Sequence, residues 1–136
     1  MNVTAKWVDA LAFDGVSDNG HTVRMDTTVE GGSIDSGMSP KKLLLASLCG
    51  CSGIDVVDIL KKMKVDYATL EVFAEANQTT THPMVFTSIH MVYKADVSPE
   101  NLDKFKRAVA LSHETYCGIS AMLAKHCNID YRVELF

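Results

Sequence analysis

The sequence predicts an α+β protein built around one buried central helix, and three observations support this prediction. Short mixed segments separated by turn residues fill the first third of the chain. A long, almost wholly apolar segment follows. The remainder switches between strand-like and helix-like spacing of its apolar residues. Because 136 residues suit one hydrophobic core, we expect residues 1–136 to form a single domain.

The first third predicts a meander of three strands. The strands are expected over Val3–Val8, Ala10–Phe13 and His21–Asp26. Turn residues separate them at Asp14-Gly15 and at Ser17–Gly20, and the second turn ends in the Asn-Gly pair that tight hairpins favour. A glycine-rich loop then leads to the main helix.

The main helix is predicted to begin at Ser39-Pro40 and to end near Lys64. Serine offers a capping hydroxyl, and proline is favoured at the first helical position. The segment is apolar almost all round, so we expect it to be buried on several sides, partly by a second subunit. Gly50 and Gly53 are costly inside a helix, which predicts that another element, most simply a helix, approaches closely there.

The second half predicts a hairpin, two helices and a last strand. The hairpin strands are Tyr67–Asn77 and Met84–Ala95, joined by a polar turn. Ser98-Pro99 starts an amphipathic helix that ends near Leu111, a short helix covers Gly118–Lys125, and Ile129–Leu135 is a strand. The expected architecture is therefore one of sheets around a central helix.

The totals exclude several classes of protein. A net charge of −4 and a pI near 5.6 disfavour nucleic acid as a partner. No uninterrupted apolar run approaches membrane-span length, and the polar N-terminus lacks a secretory core, so we expect no membrane partner and a cytoplasmic location. Structural disulfides are unusual in that compartment, which leaves four reactive, metal-binding or buried thiols.

A structural zinc site is disfavoured by the spacing of the helix thiols. Cys49 and Cys51 lie two residues apart, about 200° around the helix axis, and cannot easily share a metal or a disulfide. Zinc would also require ligands without the usual paired spacing, namely Cys117, Cys127, His113 and His126. One helix thiol is therefore expected to pack, and the other to react with a partner elsewhere.

Cys117 is the second candidate thiol. It lies at or near the N-terminus of the short helix, where the helix dipole and free N–H groups favour a thiolate, so we expect a lowered pKa. His113 precedes it by four residues. Such a histidine caps a helix end more often than it acts as a base, and both interpretations stay open.

Three motifs resemble those of the OsmC/Ohr family, the osmotically induced and organic-hydroperoxide-resistance proteins. Ser39 to Cys51 (SPKKLLLASLCGC) resembles the family's (Ser/Asn)-Pro-x-x-Leu-(Leu/Phe)-x-Ala-x-x-x-x-Cys segment. Glu30-Gly31-Gly32 resembles its Glu-Gly-Gly, and His113-Glu114 with Cys117 resembles its second-cysteine motif. The resemblance covers essentially the whole chain. It implies an OsmC-like intertwined homodimer, with antiparallel sheets around packed central helices and sites at the subunit interface.

The resemblance also implies a thiol-dependent peroxidase of the oxidative stress response. Cys51 would be the peroxidatic thiol, Cys117 the resolving thiol, and an external dithiol the reductant of their disulfide. Glu30 would correspond to the carboxylate that orients an arginine over the reactive thiol. The small-molecule substrate would be a hydroperoxide, and neither a cofactor nor a metal is expected.

Departures from the pattern place the chain in a divergent, OsmC-like branch. The region 10–15 lacks the arginine that the Ohr branch carries, and Gly118 follows the second cysteine where proline is common. Arg24 or Lys42 could replace that arginine, although surface roles suit both. Two alternatives follow: a non-catalytic small-molecule-binding protein with an apolar pocket at the dimer interface, or a structural dimer with inert cysteines.

Overall fold

The computed structural model describes all 136 residues as two compact units, Met1–Leu44 and Leu45–Phe136. The N-terminal unit contains one three-stranded sheet and the first turn of the long helix. The C-terminal unit contains a second three-stranded sheet, the rest of that helix and two shorter helices. The mixed helix and sheet content matches the predicted α+β class.

The N-terminal sheet is the predicted meander. Strands β1 (Val3–Asp9), β2 (Ala12–Ser17) and β3 (Thr22–Met25) pair antiparallel in that order. Gly20 closes the β2–β3 turn with a φ of 86°, a left-handed conformation that glycine adopts without strain. This confirms the predicted hairpin turn.

The predicted turn at Asp14-Gly15 is wrong, because both residues lie inside β2. Asp14 pairs in register with Arg24 on β3, and their side chains form an ion pair. A Cβ atom at Gly15 would lie 3.3 Å from the Met25 side chain, so the glycine allows close packing across the sheet. The chain turns earlier instead, where Ala10 has a φ of 43°.

Helix α1 (Pro40–Lys62) buries a single stripe at helical spacing. The buried side chains are those of Leu48, Ser52, Val56, Ile59 and Leu60. The expectation of burial on several sides is therefore not met within one chain: Ile54 is 71% exposed and Val57 42% exposed. No side chain comes within 4 Å of a Cβ built at Gly50, so the expected close approach there is also missing. By length and composition alone α1 could cross a membrane, a test that core helices of soluble proteins also pass.

The C-terminal sheet has the order β4 (Leu70–Gln78), β5 (Phe86–Ala95), β6 (Asn128–Leu135). β4 and β5 form the predicted antiparallel hairpin, whereas β5 and β6 run parallel. The helices α2 (Leu102–Leu111) and α3 (Gly118–Leu123) lie between them in the chain. A connection of this length can return the chain to the end of the sheet where β5 begins, so β6 runs parallel to β5. This pairing departs from the expected antiparallel pattern.

Two short irregular turns flank α2. A 3₁₀ turn over Pro99–Asn101 precedes it, so Ser98-Pro99 starts the helix through that turn. A π-helical turn over Ser112–Tyr116 joins α2 to α3, and π turns are frequent at functional sites. This turn buries Ser112 and places Cys117 at the N-cap of α3.

Candidate active site

The two thiols singled out in the sequence lie side by side in the C-terminal unit. Cys51 is on α1 and Cys117 is the N-cap residue of α3, and their Sγ atoms are 2.9 Å apart with both cysteines reduced. The Cys117 thiol donates toward the Cys51 sulfur. The fold thus joins two residues separated by 66 positions in the sequence.

Backbone contacts hold Cys117 at this position. Its N–H donates to the Ser112 carbonyl at 2.8 Å, which ends the π-helical turn. Its sulfur accepts a hydrogen bond from the Ser120 N–H at 3.3 Å, as an N-cap side chain does. Cys117 is 2% exposed, whereas Cys51 is half-buried, so Cys51 is the sulfur that a small molecule reaches first.

Burial raises the pKa of the Cys117 thiol to about 11, and its hydrogen bond to Cys51 adds to this effect. The sequence-based expectation of a lowered pKa is therefore wrong. The N–H of Ser120 does act in the expected direction, but α3 has only six residues, and desolvation outweighs that single contact. Cys117 consequently stays protonated at neutral pH and acts as a donor to Cys51.

A carboxylate lies next to both sulfurs. Asp55 follows Cys51 by four residues on α1, a spacing that places two side chains on one face of a helix. One of its oxygens and the sulfurs of Cys51 and Cys117 lie within 4.8 Å of one another. Its Oδ2 accepts a hydrogen bond of 3.0 Å from the Ser112 hydroxyl, which fixes the side chain.

A buried chain of hydrogen bonds runs from Ser112 to the region of Cys117. The Ser52 hydroxyl contacts those of Ser112 at 2.8 Å and Tyr93 at 2.5 Å. The Tyr93 hydroxyl contacts His113 Nε2 at 2.8 Å, and His113 Nδ1 contacts the Ser120 hydroxyl at 3.1 Å. These five side chains, here called the hydroxyl network, connect α1, β5, the π-helical turn and α3. Each buried hydroxyl in it has a partner, which stabilises a single arrangement.

Both titratable members of the hydroxyl network are held neutral. Burial lowers the pKa of His113 and raises the pKa of Tyr93. The His113 ring also stacks on Tyr131 with ring centres 4.3 Å apart. His113 does not cap either neighbouring helix, since the caps are Ser112 and Cys117. Its ring bridges Tyr93 and Ser120 and approaches the Cys117 sulfur only through Ser120.

Sequence reasoning missed most of the hydroxyl network and the Asp55 carboxylate beside it. Ser52 and Asp55 were visible as polar residues in an otherwise apolar helix, at one and four positions after Cys51. The four-residue spacing is the signal that could have identified Asp55, because side chains at i and i+4 lie on one helix face. Tyr93 and Ser112 have no comparable signal, because their partners are 41 and 60 positions away from them in the sequence.

The remaining predicted residues lie in the N-terminal unit. Glu30 is exposed in the turn that follows β3. The buried Asp26 carboxylate fixes the same loop by accepting hydrogen bonds from the Ser36 N–H and hydroxyl at 2.8 and 2.7 Å. Arg24, considered as a substitute cation, is paired with Asp14 and also donates to Ser36 at 3.4 Å. The Lys42 side chain is exposed.

The other two cysteines serve packing. Cys49 is half-buried against the core, and burial raises its pKa. Cys127 is buried and donates to the Leu123 carbonyl at 3.7 Å. Cys51, Asp55 and Cys117 bring three possible ligand atoms within 4.8 Å of one another, and of these Asp55 was not among the zinc ligands considered in the sequence.

A cavity of about 280 Å³ lies beside the two thiols. Asp55 connects them, because it lines the cavity and one of its oxygens lies within 4.8 Å of both sulfurs. The lining of the cavity is mostly apolar but includes three charged side chains: Asp55, Asp58, Ile59, Lys62, Met63, Leu111 and Tyr116. The C-terminal unit therefore combines an accessible sulfur, a protonated second sulfur, a carboxylate and an apolar cavity. Together these groups are suited to two-electron thiol chemistry on a small apolar molecule.

Comparison with known proteins places this chain in a family. A family model described as OsmC-like protein matches residues 31–132. Protein YhfA of Escherichia coli strain K12 is 36% identical over 135 residues, covering 99% of this chain and 98% of that protein. A hypothetical protein from Aquifex aeolicus VF5 is 27% identical, with a TM-score of 0.80 over 99% of this chain and 96% of that one. The organic hydroperoxide resistance protein OhrB of Bacillus subtilis, 20% identical, has the same fold, with a TM-score of 0.62 and coverage of 99% and 96%.

These matches confirm the resemblance recognised from the three motifs. The family model spans well over half of the chain, and the relative from Escherichia coli matches it almost from end to end. The fold agrees as well, since the structures of these two neighbours match this chain over 96% of their length. The chain belongs to the OsmC-like protein family.

Proposed function

We propose that this protein is a thiol-dependent peroxidase that reduces organic hydroperoxides through Cys51 and Cys117. The observation that supports the proposal most strongly is the 2.9 Å approach of the two sulfurs, with the protonated Cys117 donating to Cys51. A donated hydrogen bond stabilises negative charge on the acceptor, so this contact favours Cys51 as the attacking sulfur. The thiolate is the nucleophilic form of cysteine.

The proposed reaction has two half-cycles. The Cys51 thiolate attacks the terminal oxygen of the hydroperoxide, the O–O bond breaks, and the alkoxide leaves as an alcohol after taking up one proton. Cys51 is now a sulfenic acid, which Cys117 attacks to form a disulfide and release water. An external dithiol then supplies two electrons and two protons by thiol–disulfide exchange, which restores both thiols.

The cavity supports an organic rather than an inorganic peroxide. Apolar walls formed by Ile59, Met63 and Leu111 suit a hydrocarbon tail, and Tyr116 adds an aromatic ring to the lining. A tail bound there would place its peroxide group near Asp55 and the sulfurs. Hydrogen peroxide would gain nothing from this burial.

Glu30 and a second subunit complete the proposal. We give Glu30 the supporting role that the family resemblance implies, since its carboxylate is exposed in a loop held by Asp26 and available to orient a cation. The uncovered apolar face of α1 supports a homodimer. Members of the family are soluble, and we propose that this one works in the cytoplasm.

Consumption of cumene hydroperoxide with dithiothreitol as reductant tests the proposal. The wild type should consume the peroxide catalytically, and Cys51→Ser should not, because serine cannot form the sulfenic acid. Cys127→Ser is the matched control, since Cys127 is a buried thiol outside the site and the hydroxyl can still donate to Leu123. Equal rates for wild type and Cys51→Ser would refute the assignment.

A binding role without turnover is the second candidate function. The pairing of Arg24 with Asp14 favours it, because that arginine is already neutralised by a carboxylate. This alternative predicts saturable binding of an apolar molecule that is unchanged in Cys51→Ser, together with no peroxide consumption by the wild type. The same two proteins therefore distinguish the two functions.

A further inference from the structure

We infer that Asp55 is a catalytic residue that accepts the proton of the Cys117 thiol and returns it to the hydroxide leaving the Cys51 sulfenic acid. The inference deepens the proposed peroxidase function and rests on it. Nothing in the three sequence motifs includes Asp55, and the evidence for it is the arrangement around the two sulfurs.

The second step of the cycle requires a base. Disulfide formation needs a thiolate as the attacking group, but burial and the contact with Cys51 keep Cys117 protonated. The same step expels hydroxide, which leaves far more easily as water. One group that first takes and then gives a proton meets both requirements.

Asp55 is placed to be that group. One of its oxygens is within 4.8 Å of both sulfurs. A sulfenic acid on Cys51 would place its hydroxyl oxygen partly in the space between them. The hydrogen bond from Ser112 holds the carboxylate, and the one-turn spacing on α1 keeps it on the side of Cys51.

His113 is another titratable side chain near Cys117, and its contacts make it unsuitable as the base. Both of its ring nitrogens have partners, the Tyr93 hydroxyl on one side and the Ser120 hydroxyl on the other. It meets the Cys117 sulfur only through Ser120. We assign His113 to the positioning of α3, and the proton transfer to Asp55.

The step balances with these groups alone. The Asp55 carboxylate takes the proton from the Cys117 thiol, and the resulting thiolate attacks the sulfur of the Cys51 sulfenic acid. The S–S bond forms as the S–O bond breaks, so the Cys117 sulfur is oxidised and the Cys51 sulfur reduced. The departing hydroxide takes the proton from Asp55 and leaves as water, which returns Asp55 to its carboxylate form.

A role in proton transfer and a role as a mere nearby charge predict opposite effects. The negative charge of Asp55 raises the pKa of Cys117, so its removal alone would make the Cys117 thiolate more abundant and disulfide closure faster. Removal of the base would instead slow closure, by at least about 100-fold for a general acid–base catalyst. The sign of the effect of Asp55→Asn therefore decides between them.

The experiment is a single turnover of the reduced protein, kept free of metals by a chelator. One equivalent of cumene hydroperoxide is added, samples are quenched with dimedone, and mass spectrometry follows the trapped Cys51 sulfenic acid and the Cys51–Cys117 disulfide. In Asp55→Asn we expect sulfenic acid to form and then persist, with slow disulfide closure and progressive overoxidation of Cys51 in excess peroxide. Closure as fast as in the wild type, or faster, would overturn the inference.

Three further proteins complete the test. Asp103→Asn makes the same change in charge at an exposed position in the first turn of α2, the opposite end of that helix from Ser112, and should close at the wild-type rate. Ser112→Ala leaves the carboxylate in place but unanchored, and should slow closure less than Asp55→Asn. If disulfide closure were slow in Ser112→Ala but not in Asp55→Asn, the slowing would come from packing, and the inference would be overturned. Cys117→Ser marks the limit of no closure, and a wild type that forms neither sulfenic acid nor disulfide would refute the proposed function itself.

Discussion

The Cys117 sulfur is surrounded by groups that oppose its ionisation. It is 2% exposed and faces a second sulfur and the carboxylate of Asp55, while one N–H, from Ser120, acts in the other direction. A thiol is usually expected to gain acidity at a helix N-terminus, but here burial dominates. The two cysteines therefore differ in environment, since Cys51 is half-buried whereas Cys117 is almost fully buried and stays protonated at neutral pH.

Stability should depend on the protonation of Cys117 at alkaline pH. Its folded-state pKa of about 11 lies above the value of roughly 8.5 for an unfolded thiol. The folded protein thus retains a proton that the unfolded chain loses, and the contribution is fully present below pH 8.5 and lost as the pH rises to 11. Urea unfolding of the reduced protein should show a steeper loss of stability from pH 8.5 to 11 for wild type than for Cys117→Ser. Parallel curves for the two proteins would contradict the raised pKa.

At the scale of elements, the hydroxyl network connects four parts of the fold around Tyr93. That residue is fully buried on β5, and its hydroxyl meets Ser52 on α1 and His113 on the π-helical turn. A buried hydroxyl or imidazole that loses its partner costs free energy, because no water replaces the lost bond. The network therefore couples the position of α3, and with it Cys117, to the sheet.

Replacement of Tyr93 by phenylalanine should destabilise the protein by about 1–3 kcal/mol, because it leaves Ser52 and His113 short of a partner while preserving the ring. The free energy of unfolding in urea measures this effect. Tyr131→Phe is the matched control, since it keeps the ring that stacks on His113 and leaves the hydroxyl network intact. A change no larger than that of the control would show that the network contributes little to stability.

The elements also show what local sequence patterns can and cannot predict. Proline at the start of α1, and the alternation of β4 and β5, predicted those elements within a few residues. The turn predicted at Asp14-Gly15 was wrong because this pair of residues suits either a turn or a close contact between strands. Only the neighbouring strand determines which of the two forms. The parallel pairing of β6 and the hydroxyl network depend on contacts between distant segments, which no local pattern contains.

For the molecule as a whole, apolar faces remain uncovered in each unit. On α1, Ile54 and Val57 are exposed beside Gly50 and Gly53, around an open groove that Leu70 also lines. In the N-terminal unit every residue of β1 is exposed, including Trp7 at 65%. Exposed apolar residues of this kind support the homodimer that the sequence resemblance implied.

Ile54→Glu should convert the proposed homodimer to a monomer, because a charge on the exposed face of α1 would be desolvated in the interface. Light scattering after size-exclusion chromatography gives the mass. Circular dichroism should change little, since the side chain is 71% exposed within one chain. A wild type that is monomeric at micromolar concentration, or a variant that remains dimeric, would contradict this use of α1.

The pairing of Cys51 with Cys117 is tested most directly by the mass of the native protein after one equivalent of cumene hydroperoxide, followed by mapping of any crosslinked peptide. We predict the loss of two hydrogen atoms and one new disulfide that joins the α1 peptide containing Cys51 to the peptide containing Cys117, whose sulfurs already lie 2.9 Å apart. An unchanged mass, or a bridge that involves Cys127 in place of Cys117, would contradict it.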